Sequence, residues 1–269
     1  MTASPREGVP AQAWKTEGIA PMERPGAAMR LLMAIVAFAE RLNVTCAKRG
    51  NPWVYDTAAF PWAAALEREW RAVRDELDAL MVRRAELPNV HDITADAASI
   101  SRDAGWKIFP FIAYGIRSQR NIDLCPQTWR IVHGIPRLRT AMFSILEPGK
   151  HLPPHRGPYN GVLRLHLGLV VPETRERLAI RIGVEERRWQ EGRVLIFDDA
   201  YEHEVWNDTA EVRVVLFVDF EKPLRFPANI LNRVLLGLAV FTPFVREGSA
   251  NLRRWERQFY GDPSVTTRA

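Results

Sequence analysis

Cysteine is nearly absent from this sequence. The two present, Cys46 and Cys125, have no CxxC partner. Two cysteines cannot make a disulfide framework, so a reducing compartment is expected. No apolar run reaches the roughly 18 residues needed to cross a bilayer. Residues 1–26 are rich in Pro, Gly and Ala and carry no apolar run, so a flexible tail without a secretory signal is expected. Charge of one sign is not in excess: 37 Lys and Arg against 32 Asp and Glu leave +5, with the signs interleaved. Nucleic acid is therefore not implied as a partner, and only a weak preference for anionic surfaces or substrates is allowed. A cytoplasmic protein is the expectation.

What is present is enough apolar residue to bury a sizeable core, at 47% of the chain. The apolar residues fall into two regimes. Up to about residue 104 they recur at helical spacing. Leu31, Leu32, Ile35, Val36, Phe38 and Ala39 make a broad apolar stripe over 29–42. It reads as a helix docked on the main body, or alternatively as a membrane-surface helix. A second helix of about 20 residues starts at Phe60-Pro61-Trp62 and buries Leu66, Trp70, Val73, Leu77 and Leu80. A looser polar segment, 85–103, follows.

From Trp106 the period shortens. Residues 106–109 and 111–114 read as one or two strands. Cys125-Pro126-Gln127-Thr128 starts a short helix to about Gly134, and 139–146 is a strand ended by Glu147-Pro148-Gly149-Lys150. Four further strands are predicted at 162–171, 178–184, 194–197 and 212–219. Helices precede the strands and do not alternate with them, which argues against a parallel α/β sheet. The expected fold is mainly β with flanking helices, around a jelly-roll core. The expected divisions are a tail at 1–26, a helical flank at 27–104, the core at 105–226 and a helical extension at 227–269. The run from Ile230 to Val245, broken by Pro243, reads as a helix covering the core, with shallow membrane contact as the alternative.

Strand alternation points to chemistry. In 162–171, Leu163, Leu165, Leu167 and Leu169 share one face, and Arg164, His166 and Gly168 share the other. The second face thus carries a cation, an imidazole and a gap for a ligand. An arginine inside a barrel demands an anion or an acid partner; on an edge strand it would simply face solvent. His155 follows Pro153-Pro154 at the mouth of this strand, and His203 precedes the strand that holds Arg213. Imidazole is a common ligand for iron. The usual iron oxygenase site adds a carboxylate two residues after the first histidine, and that position here is Gly157. Pattern alone leaves the metal open.

Several ordered motifs resemble one family. They are 143–149 (Phe-Ser-Ile-Leu-Glu-Pro-Gly), 151–159 with Pro153-Pro154-His155-Arg156-Gly157, 163–169, Trp189-Gln190-Glu191-Gly192, Phe197-Asp198-Asp199, His203-Glu204-Val205-Trp206-Asn207 and Arg213-Val214-Val215-Leu216. Across about 60–226 the chain resembles the aspartyl/asparaginyl β-hydroxylase family of iron(II)- and 2-oxoglutarate-dependent dioxygenases, whose co-substrates are 2-oxoglutarate and O2. The resemblance implies His155 and His203 as the metal ligands, with no carboxylate. It implies Arg213 as the partner of the far carboxylate of 2-oxoglutarate, a task that suits a planar guanidinium. It implies Ser144, Arg164 and His166 as lining of the co-substrate pocket. The implied chemistry is oxidative decarboxylation of 2-oxoglutarate to succinate and CO2, with hydroxylation of a C–H bond.

Asp198 and Asp199 are expected to support the His203 loop, together with Trp206 and Asn207. Tyr159 and Asn160 are read equally as substrate contacts or turn fillers. Lys150, His151 and Arg156 are candidates for an anionic substrate, while His91 and His133 are incidental. Two substrates compete. One is the β-carbon of an aspartyl or asparaginyl group in a peptide or amino acid, placed first. The other is the 2-position of an acyl chain of lipid A, which would put the protein peripherally at the inner membrane. A metal-free binding module and a cupin isomerase are the rivals outside this chemistry. The oligomeric state is not readable.

Overall fold

The computed structural model describes residues 26–174 and 176–261. The predicted tail at 1–26 lies outside them except for Gly26. The chain opens on α1 (Ala27–Cys46), β1 (Val54–Tyr55), α2 (Ala63–Met81) and α3 (Val90–Ile93). Then come β2 (Trp106–Ala113), β3 (Ile116–Arg117), α4 (Gln119–Leu124) and α5 (Pro126–His133). The strands β4 (Leu138–Leu146), β5 (Lys150–His155), β6 (Val162–Val170), β7 (Leu178–Ile182) and β8 (Glu185–Arg187) follow. The chain ends through β9 (Val194–Phe197), β10 (His203–Asn207), β11 (Arg213–Glu221), α6 (Ala228–Leu238) and α7 (Pro243–Tyr260).

The strands form two antiparallel sheets, ordered β1-β9-β6-β11-β4-β2-β3 and β5-β10-β7-β8. This is the mainly antiparallel, helix-flanked jelly roll expected from the pattern. The larger sheet is built from alternation. Leu163, Leu165, Leu167 and Leu169 are fully buried on its outer face, as are Phe143 and Ile145 of β4. α2 packs on that face through Leu66, Val73 and Leu77. Phe111 and Phe143 meet edge-on at 5.1 Å. Burying side chains of this size contributes about 1.5–3 kcal/mol each. The inner face carries Arg164, His166 and Gly168 of β6 opposite Arg213, Val215, Phe217 and Asp219 of β11. It continues onto Thr140, Met142 and Ser144 of β4 and then onto β2.

Several expectations change in detail. The predicted strands at 106–109 and 111–114 are the single strand β2, whose register shifts between Pro110 and Ile112. That irregularity accommodates a proline, which has no N–H for the ladder. The polar segment 85–103 contains α3, whose first turn is tied by Asp92 Oδ2 accepting from the Asn89 backbone N–H at 2.9 Å.

α1 docks through one end only. Ala39 and Asn43 are buried, whereas Leu31, Met33 and Phe38 are 63%, 59% and 60% exposed. α6 lies against α1. It too leaves an apolar row outward, Ile230, Val234 and Leu238, at four-residue spacing. α7, in contrast, covers the core beside β2, where Trp255 meets Phe109 at 6.1 Å. Among the described residues no single helix is long and apolar enough to cross a membrane.

Candidate active site

His155 and His203 face each other across the smaller sheet. Sequence pattern puts them at strand mouths. In the structure His155 is the last residue of β5 and His203 the first of β10, and the two are direct register partners. Pro153-Pro154 conceals β5 as a strand. β5 is the edge of its sheet, where missing N–H groups are tolerated.

The ring centroids are 4.1 Å apart. His155 Nδ1 is 2.7 Å from the Pro153 carbonyl, and His203 Nδ1 is 3.0 Å from the Tyr201 carbonyl. A carbonyl only accepts, so each Nδ1 carries the proton and each Nε2 keeps its lone pair. Burial pulls both imidazoles below their ordinary pKa, His203 strongly, and the positive charge of Arg164 adds to this. Two neutral imidazoles offering Nε2 from one place are a donor set for a transition metal. Among the described residues no group of three or more His, Cys, Asp and Glu is arranged to hold one.

Arg213 and His166 form a second cluster on the larger sheet. Arg213 is 2% exposed, and its Nε and Nη1 have no hydrogen-bond partner. Burial without an acid beside it pulls its pKa down to about 9. Its guanidinium lies over the Trp189 ring at 4.5 Å. Trp189 Nε1–H donates to His166 Nδ1 at 3.2 Å. An indole N–H only donates, so the neutral His166 ring carries its proton on Nε2. That Nε2 is also buried and unpartnered. Burial and the charge of Arg213 hold His166 well below its ordinary pKa. Three unpartnered donors around one indole therefore await an acceptor, and a carboxylate satisfies them. Ser144, on the same inner face, accepts from Trp106 Nε1–H at 3.0 Å.

Arg164 has its partners already. Nε donates to Asp219 Oδ1 at 2.9 Å, Nη2 approaches Asp199 Oδ2 at 2.8 Å, and the guanidinium covers Phe217 at 4.2 Å. Burial alone would lower its pKa, but Asp199 and Asp219 outweigh burial and raise it. It therefore has no free fork for a co-substrate carboxylate. Asp219 was not among the sequence candidates, although its parity with Arg213 along β11 would have found it.

Asp199 also accounts for Gly157. A Cβ at 157 would lie 2.1 Å from Asp199 Oδ2, so this carboxylate fills the space that a side chain there would take. Burial pushes Asp199 up to about 7 against the opposing pull of Arg164. Asp198 instead pairs with Lys222 at 2.7 Å, with both side chains buried. Gly168 leaves no gap for a ligand: a Cβ there would meet the Gln190 carbonyl at 2.2 Å. That contact brings Trp189 to His166.

An apolar cavity of about 380 Å³ reaches His155, Arg156, Gly157 and Pro158. It crosses the inner face past Phe217, Met142 and Ile108 to α3 and α7. Arg156 lines it. Lys150 does not, and is held by Asp103 at 2.8 Å. His151 faces Glu204 at 2.8 Å and stacks on Trp206. Tyr159 and Asn160 bond Asn43 of α1 and so tie that helix to the loop after His155. Asn207 Nδ2 donates to the Leu146, Glu147 and Glu211 carbonyls, so it ties the end of β4 to the turn before β11, and not the His203 loop expected of it. His91 and His133 lie outside both clusters, beside Asp92 and Trp129. Both cysteines are free.

Fold and site together define a jelly-roll protein with a paired-imidazole centre beside a buried cationic pocket. The chain belongs to the aspartyl/asparaginyl β-hydroxylase family, whose model matches residues 67–223. It is 57% identical over 253 residues to an ornithine lipid ester-linked acyl 2-hydroxylase from Rhizobium tropici, spanning 94% of this chain and 90% of that protein. It is 34% identical over 182 residues to the human aspartyl/asparaginyl beta-hydroxylase; the match spans 65% of this chain and 23% of that protein. A prolyl-4-hydroxylase structure from Pseudomonas putida aligns with TM-score 0.38 and 17% identity, over 57% of this chain and 87% of that one.

Proposed function

We propose that this chain is an iron(II)- and 2-oxoglutarate-dependent hydroxylase of a lipid acyl chain, acting at the 2-position of an ester-linked acyl group on a lipid of the ornithine-lipid class. The observation that carries the substrate is the apolar cavity reaching His155. Beyond the exposed Arg156 at its mouth, an aspartyl substrate would find no free cation among the described residues of the cavity. Arg164 is committed to Asp199 and Asp219, and Lys150 to Asp103. The order of preference from sequence pattern, with Asp and Asn first and lipid A second, is thereby reversed, and the lipid class is that of the Rhizobium relative.

In this reading His155 and His203 hold the iron through Nε2. Their Nδ1 bonds to Pro153 and Tyr201 fix the rings, and their lowered basicity keeps them unprotonated. When bound, iron supplies the activation of O2 that couples oxidation of 2-oxoglutarate to oxidation of a C–H bond. Arg213 and His166 take the far carboxylate of 2-oxoglutarate, because their donors have no other acceptor. Trp189 holds His166 in the donating tautomer. Arg164 keeps Asp199 packed against Gly157, beside the loop that follows His155. The cavity excludes water from the acyl chain. The protein works at the cytoplasmic face of the membrane, and the exposed apolar rows of α1 and α6 are the surface available to lipid.

The test is succinate release by the purified protein with iron(II), ascorbate and 2-oxoglutarate under air. It is run with an ornithine lipid and with Asp-containing peptides, beside His155→Ala and Arg213→Ala. Lipid-stimulated succinate and a 2-hydroxyacyl product, lost in both variants, are expected. Stimulation by peptide alone would overturn the lipid substrate.

A further inference from the structure

We infer that α7, braced by α3, is the end wall of the acyl site and sets the length of chain the protein accepts. This rests on the lipid reading above. Position 2 of an acyl chain lies next to the ester. With that carbon at the histidine pair, the ester and headgroup stay at the His155–Arg156 end, and the rest of the chain must run inward.

The cavity provides one direction for it. Lining residues follow the inner face from Arg164 of β6 through Phe217 of β11 and Met142 of β4 to Pro110 of β2. Three interstrand steps make a path of about 14 Å. It ends against Val245, Gly248, Ser249 and Leu252 of α7 and against Val90 and Ile93 of α3.

This wall is held in place, as a length gauge must be. Asn251 Nδ2 donates to the Ile93 carbonyl at 3.2 Å, and Trp255 Nε1 donates to the Glu86 carbonyl at 3.0 Å. Arg83 Nη2 donates to the Phe259 carbonyl at 2.6 Å. Pro243 starts the helix, and Thr242 caps it. Gly248 is where the wall can be moved inward. Gly248 lines the cavity, and a Cβ there meets only the Ile93 carbonyl, at 3.5 Å, so a side chain is admitted at this point of the wall.

The wall lies beyond the part of the chain that the family model matches and within the part that the Rhizobium relative matches. The family model ends at residue 223, before α7 begins at Pro243. The Rhizobium lipid hydroxylase matches 253 of the 269 residues, and any unbroken stretch of that length includes residues 17–253, the lining part of α7 among them.

The experiment presents the iron- and 2-oxoglutarate-loaded protein with an equimolar mixture of ornithine lipids of graded acyl length. It reads the ratio of long to short 2-hydroxy products by mass spectrometry, and the binding of fatty acids of the same lengths by displacement of a fluorescent fatty acid. Each methylene kept out of an apolar site weakens binding about fourfold. Gly248→Leu is expected to lower the long-to-short ratio by about 15- to 60-fold, which is two or three methylenes at that fourfold each. Leu252→Ala removes bulk from the same wall and is expected to shift the ratio the other way. Ratios are internal to each variant, so partial loss of folded protein does not mimic the result. Unchanged ratios in both variants, with lipid still hydroxylated, would overturn the wall and leave the lipid reading intact. No fatty-acid binding by the wild type, with peptides turned over, would overturn both.

Discussion

Arg164 and Arg213, the first largely and the second fully buried, lie on the inner face of one sheet, on neighbouring strands, and their surroundings drive them in opposite directions. Arg164 has two carboxylates and an aromatic face, and its positive charge is stabilised. Arg213 has an indole, a neutral imidazole and no acid, and its charge is penalised. A sequence shows two arginines of matching parity. The structure shows one whose partners are built in and one whose partner must come from outside. A buried guanidinium without an acid is costly to a folded chain, so its retention signals a ligand.

The largest expected effect follows from that difference. Arg213→Met removes the fork that waits for an anion. Truncating one side of a buried charge pair costs about 2–5 kcal/mol, roughly 30- to 4,000-fold in affinity. 2-Oxoglutarate binding, followed by calorimetry with a redox-inert metal, should weaken by that much. The apo-protein should keep its melting temperature or gain, because an unpaired charge has gone. A clear loss of apo stability would show that Arg213 is structural.

Arg164→Met should do the reverse. It strands Asp219 and Asp199, and breaking a buried pair in this way costs about 3–5 kcal/mol of stability. Asp219→Asn in the same background should recover part of it. If Arg164→Met unfolds no more easily than Arg213→Met, the two arginines are equivalent and the distinction fails.

How much of this was legible follows from what one-dimensional pattern contains. Alternation assigned Leu163–Leu169 to one face and Arg164, His166 and Gly168 to the other, and both faces are as assigned. Sheet pairing is not in that pattern. It therefore did not show that β6 puts Arg164 beside Asp219 of β11, more than fifty residues later, and thereby uses up one of the candidate co-substrate residues. Proline hid β5, because its tolerance there depends on an edge that only the assembled sheet defines. Gly157 read as a missing ligand and Gly168 as a gap. Each is instead a close approach, by Asp199 and by the Gln190 carbonyl, that no spacing rule encodes.

A smaller effect sharpens the role of Asp199. Gly157→Ala places a methyl group where the Asp199 carboxylate lies. Overpacking of this kind costs about 1–3 kcal/mol. Part of that strain should fall on the Arg164–Asp199 contact. Gly157→Ala combined with Asp199→Ala should therefore be more stable than the sum of the single changes. Simple additivity in chemical denaturation would show that the two positions do not compete for space.

The smallest effect is in pH and belongs to the Arg213 cluster. His166 is held well below its ordinary pKa by burial and by the charge of Arg213. The unfolded chain takes up a proton on this imidazole below about pH 6.5, and the folded chain does not. Stability from this site is thus complete above about pH 6.5 and is lost as pH falls toward the folded value, at up to about 1.4 kcal/mol per pH unit. His166→Gln should flatten the fall in apo-protein stability between about pH 6.5 and about pH 5 by no more than one proton's worth. 2-Oxoglutarate bound against Arg213 would offset that cation and let His166 protonate more readily, so saturating co-substrate should also flatten the slope in the wild type. Arg213→Met should do the same without ligand. A slope that ignores both the co-substrate and the arginine would mean that His166 does not share the pocket of Arg213.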